Sequence, residues 1–131
     1  MTPHTWLEKA DRYLASAELL LADEDYESAV SRAYYAARYG AIHLFLARGV
    51  PWQARWTHKT IQDRMIEQAR RLLWLRAVQM QSLTFGQSWM QLLENRSIAD
   101  YEISGRITER IARRSFIFAQ AFIQAVKGNI S

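Results

Sequence analysis

The sequence predicts an all-α protein, and three observations carry that prediction. Only two prolines and five glycines punctuate 131 residues, too few turn-formers for a many-stranded sheet. Half of the residues are apolar, which supports a compact core and argues against disorder. The apolar positions recur every three or four residues over long stretches, the period of a helix with one buried face. The length suits one domain covering 1–131.

The first helix is expected over about Trp6 to Ala22. Thr5 and Glu8 have the spacing of a capping box, and Leu7, Ala10, Leu14, Ala17 and Leu21 form its apolar stripe. Asp23-Glu24-Asp25 makes an acidic turn in which either aspartate can cap the next helix and complement its dipole. That second helix is expected from Tyr26 to about Arg48, with Ala33, Ala37 and Phe45 inward and alanines that let a neighbour approach. Gly49-Val50-Pro51 stops it, because glycine accepts the left-handed cap and proline cannot continue the ladder.

A loop with Trp52, Arg55 and Trp56 follows, and Thr57 suits the N-cap of a third helix over about His58 to Gln79. Its inward positions are Ile61, Met65, Ala69, then Leu72 or Leu73, and Arg76 or Ala77. A short fourth helix is expected over about Gln87 to Asn95. The polar stretch Asn95 to Tyr101 reads as a turn or helix junction. Ser104-Gly105 then opens the last helix, which carries Ile107, Ile111, Phe118, Phe122 and Val126 inward and runs to about Lys127.

Composition excludes several classes of function. Without cysteine there is neither a disulfide framework nor a thiolate metal site. The chain start has no basic segment followed by an apolar core, so no signal peptide is expected. No uncharged apolar run nears the roughly 20 residues that span a bilayer. A cytoplasmic protein without a membrane partner is therefore the expectation. The net charge of +4 is uneven: residues 1–50 carry five basic and seven acidic side chains, residues 51–131 twelve and six. The basic excess permits an anionic partner such as RNA.

Enzyme signatures based on cofactors are missing, with no glycine-rich phosphate loop, His-Glu-x-x-His pair or nucleophile elbow. His4, His43 and His58 lack regular ligand spacing, so no metal and no cofactor is expected. Tyr34 reads as core packing. Tyr35 lies about 100° further round the helix and nearer the surface, where a phenol ring can stack on a base. Arg38 and His43 diverge by about 140° and cannot easily share a phosphate. At the polar junction, Arg96 can hold a phosphate with Asp100 to orient it, or the two can simply pair across one turn.

The segment Tyr26 to Ala37, with Ser31-Arg32-Ala33-Tyr34-Tyr35-Ala36-Ala37 at its centre, resembles the helix signature of small stand-alone prokaryotic HEPN domains. Thr57-His58-Lys59 and Arg96-Ser97-Ile98-Ala99-Asp100-Tyr101 resemble two further landmarks of that group, in the same order. The resemblance implies an up-and-down bundle of four to five helices, commonly a homodimer. It also implies a nucleotidyltransferase partner, in a toxin–antitoxin-like pair. Active relatives are metal-independent ribonucleases that use an Arg and, some residues later, a His. Here that His slot holds Tyr101, and a phenol with a pKa near 10 is a poor general base at neutral pH. His58 could supply the imidazole if the fold brings it near Arg96.

The leading expectation is thus an RNA- or nucleotide-binding component with doubtful ribonuclease activity. Its candidate contacts are Arg55, His58, Lys59, Arg64, Tyr35 and Arg106. One alternative is a metal-independent toxin ribonuclease using Arg96, Asp100 and Tyr101. The other is a structural dimer whose basic helix docks on an acidic protein.

Overall fold

A computed structural model describes residues 5–51, 53, 55–103 and 105–130. Residues 1–4, on which the reading of the chain start rests, lie outside them, as do Trp52 and Ser104, read as a loop residue and a helix start. The described residues form α1 (Trp6–Ala22), α2 (Tyr26–Ala47), α3 (His58–Arg71), α4 (Leu73–Arg76), α5 (Phe85–Tyr101) and α6 (Glu109–Asn129). Among the described residues this is an all-α bundle of five multi-turn helices and the single turn of α4.

Local chemistry sets most helix starts. Thr5, Asp25, Thr57 and Thr108 each accept a hydrogen bond from the backbone N–H three residues on, at 3.0, 3.3, 3.0 and 3.2 Å. Each satisfies a donor that has no partner inside its own helix. Thr84 and Gln87 complete a reciprocal capping box at the start of α5. At the end of α2, Gly49 adopts φ +81° and the Val50 N–H reaches back to the Phe45 carbonyl at 2.8 Å. The glycine stop is thus the one the sequence predicts.

α2 is the central helix, packed against α1, α3, α5 and α6. Ala29, Val30, Ala33, Ala36, Ala37 and Ala41 are all buried on it. Its contact with α6 is close at Gly40, where an added Cβ would sit 3.2 Å from the Phe122 ring. Around that contact Phe85, Trp89, Phe118 and Phe122 form the aromatic centre of the core, with Trp89 and Phe122 edge to face at 5.6 Å. Each such side chain contributes about 1.5–3 kcal/mol by leaving water.

Three expectations about the elements are corrected. The third helix does not run to Gln79: Leu72 is extended (φ −114°, ψ 105°) and separates α3 from α4. The break allows Leu75, Val78 and Met80 all to be buried. In a continuous helix these three would spread over more than half its circumference. Second, Asn95 to Tyr101 is not a junction but the last two turns of α5, which begins at Phe85 rather than Gln87. Asn95 and Arg96 are buried in it, and Asn95 accepts from Gln91 at 2.9 Å and donates to Ser115 at 3.1 Å. Third, the last helix starts at Glu109, after an irregular stretch in which Ile107 is buried.

Among the described residues, no helix is long and apolar enough to cross a membrane.

Candidate functional site

Three helices bring titratable side chains to one place. Tyr34 and Arg38 stand one turn apart on α2 and share a face. His58 occupies the first turn of α3, directly after the Thr57 cap, and Arg96, Asp100 and Tyr101 belong to the final turns of α5. The Tyr34 hydroxyl lies 2.6 Å from His58 Nδ1, and an Arg38 guanidinium nitrogen lies 3.3 Å from the same atom. Arg38 also donates to the Trp56 carbonyl, which ties α2 to the segment leading into α3.

These contacts define the state of the imidazole. Arginine only donates hydrogen bonds, so Nδ1 must present its lone pair, and the Tyr34 O–H donates to it as well. Neutral His58 therefore carries its proton on Nε2. The electrostatics agree. Burial holds the Tyr34 phenol above its ordinary pKa despite the nearby Arg38 and Arg96 charges, so it keeps its proton. Burial, Arg96 and Arg38 push the His58 pKa down, and only Asp100 opposes them.

Arg96 is the buried charge of the site, its side chain only 6% exposed. Its guanidinium carbon lies over the rings of Tyr34 and Tyr101, 5.4 and 5.5 Å from their centres. Asp100 meets it at 3.3 Å through one nitrogen. Its Nε is buried with no hydrogen-bond partner among the described residues. Burial works against the charge, but Tyr101, Tyr35 and Asp100 outweigh it and hold the pKa above the ordinary arginine value. The site thus has two guanidinium groups and an imidazole donor, with one nearby carboxylate.

Of the residues singled out in the sequence, Arg96, Asp100, Tyr101 and His58 come together, with half-buried Tyr35 edge-on to Tyr34 at 5.2 Å. The pairing of Arg96 with Asp100 across one turn is also present. The other cations are surface groups. Lys59 and Arg64 each sit 3.9 Å from a carboxylate on α3, and Arg106 pairs with Glu102 at 3.0 Å. Such exposed pairs contribute about 0–1 kcal/mol and leave the cations available to solvent. Arg64 is six residues past His58, about 9 Å along the helix axis. Arg55 is exposed before α3.

The sequence sets Arg38 only against His43, yet its hydrogen bonds go to His58 and Trp56. Its position four residues after Tyr34 was the available signal. Among the described residues no three His, Asp or Glu side chains gather as a metal site.

A family model described as the HEPN domain matches residues 4–129 of the 131. The chain belongs to the HEPN family. No curated protein matches it. The HEPN domain has nucleotide- and RNA-related roles. In this HEPN chain the residue five after Arg96 is the exposed Tyr101, while the imidazole beside the cluster comes from α3.

Proposed function

We propose that this HEPN protein binds RNA or a nucleotide through a phosphate held by Arg38, His58 and Arg96, with Asp100 orienting Arg96. The observation that carries the reading is the hydrogen bonding of His58. Its Nδ1 lone pair is engaged by Tyr34 and Arg38, which leaves an Nε2–H donor on a ring that feels the charges of Arg96 and Arg38. That arrangement suits an anion better than it suits proton abstraction, since a general base needs a free lone pair. The resemblance of the Arg96-to-Tyr101 segment extends the reading to a homodimer that pairs with a nucleotidyltransferase protein in a toxin–antitoxin-like system. Light scattering and co-purification with the product of a neighbouring gene test that extension.

The binding reading is tested with a fluorescent RNA in metal-free buffer. Arg38→Ala and Arg96→Ala should each weaken binding about tenfold or more and lower the salt slope by about one. Arg64→Ala should change the affinity less than either. No binding at low salt, or equal losses in all three variants, defeats the proposal. A second reading, metal-independent RNA cleavage, is favoured by the presence of His58 and Arg96 in one cluster. Cleavage abolished by both Arg96→Ala and His58→Ala but kept in Tyr101→Phe would establish it.

A further inference from the structure

We propose that the groove beside the cluster is a nucleobase subsite, in which an unpaired base stacks against Trp6 and Tyr39 while its phosphate lies on Arg38 and His58. The inference rests on the phosphate-binding reading and adds what the rest of the nucleotide does. The groove, of about 620 Å³, lies between α1, α2 and the start of α3. Its lining includes Trp6, Lys9, Tyr35, Arg38, Tyr39 and His58, so two of its walls are the phosphate ligands themselves.

Aromatic rings run without interruption from α1 to the imidazole. Trp6 and Tyr39 are stacked at 5.8 Å with planes 24° apart, and Tyr39 is followed by Tyr35 at 6.5 Å. Tyr35 meets Tyr34 at 5.2 Å, and Tyr34 meets His58 at 5.3 Å. Packing explains Tyr34, which is wholly buried, but Trp6, Tyr35 and Tyr39 are only half-buried and keep surface facing solvent. Half-buried rings beside a cationic groove form the kind of platform on which single-stranded nucleic acid stacks.

The charge pattern points to the same ligand. Lys9 Nζ lies 4.4 Å from the Tyr39 ring centre and 5.5 Å from that of Trp6. Lys9 is half-buried, and cation–ring attraction at a partly solvated site is weak enough for an incoming base to displace the ammonium, whose long stem lets it swing toward the phosphate. A paired base has both faces covered by its neighbours in the stack and cannot enter.

The test compares three labelled probes of equal length on the full chain: single-stranded RNA, the same strand with abasic sugars, and its duplex. The unmodified single strand should bind about tenfold or more tighter than the abasic strand. Trp6→Ala should shrink that ratio to about threefold or less, Trp6→Phe should restore it, and Lys9→Ala should leave it nearly intact while weakening all probes slightly. Arg96→Ala should weaken the intact and abasic strands alike. Equal affinity for intact and abasic strands overturns the base subsite while leaving phosphate binding in place. If no probe binds, both readings fall. A Trp6→Ala variant that unfolds, judged by circular dichroism, passes the decision to the intact-to-abasic ratio of the unaltered protein.

Discussion

His58 shows how three contacts can assign one residue a role that its own chemistry leaves open. A free imidazole titrates near 6.5 and can act as acid, base or ligand. Here Tyr34 and Arg38 take up Nδ1, while burial, Arg96 and Arg38 disfavour the charged ring. The sign of the pH effect follows. As pH falls, the unfolded chain takes up the proton first, because the folded protein holds the pKa lower. The stability contributed by neutral His58 is complete above about pH 6.5 and is lost as pH falls from there toward the folded value. Urea midpoints at about pH 7.5 and pH 5.5 should therefore differ more for the unaltered protein than for His58→Gln. An equal pH dependence in both would show that His58 titrates as a free imidazole.

At the scale of the element, α5 carries the site because its last two turns stay helical. The stretch from Asn95 looks like a break in the sequence, since Asn, Arg, Ser and Asp all favour caps and turns over helix interiors. Tertiary partners reverse that preference. Asn95 links Gln91 to Ser115 of α6, whose own hydroxyl donates to the Ile111 carbonyl at 2.9 Å. Asn95→Ala should cost about 1–3 kcal/mol, because it leaves buried polar groups unpaired. A double-mutant cycle with Ser115→Ala should give a coupling of about 0.5–1.5 kcal/mol in denaturant unfolding. A coupling of zero would mean that the helix holds its last turns without this bond. Arg96 and Asp100 stand on the turns that this contact anchors, so its loss should also weaken the RNA binding proposed above.

At the scale of the whole molecule, the position of α2 decides whether the three site-bearing helices can meet. It touches α1, α3, α5 and α6, and its approach to α6 depends on the missing side chain of Gly40. A valine there would press on Phe122 and Ile123, which lie 3.2 and 3.4 Å from the position of the first added carbon. Gly40→Val should destabilise the fold by about 1–3 kcal/mol, read as a lower Tm. An unchanged Tm would show that α6 can move away without loss.

The helical class, the apolar stripes and the helix starts at Thr5, Asp25 and Thr57 were legible in the sequence, because capping and 3.6-residue periodicity are local effects. So was the pairing of Arg96 with Asp100 across one turn, which needs only their spacing of four residues. The sequence could not show that Leu72 interrupts a periodic helix, since that break answers to the burial of Leu75, Val78 and Met80 elsewhere in the bundle. Nor could it join Tyr34, Arg38, His58 and Arg96, whose separations of 20 to 62 residues between helices leave no pattern in the chain. The sequence by itself determined a helical HEPN chain. Only the tertiary structure decided which imidazole stands beside the cluster and which of its nitrogens holds the proton, because both depend on side chains that meet through packing.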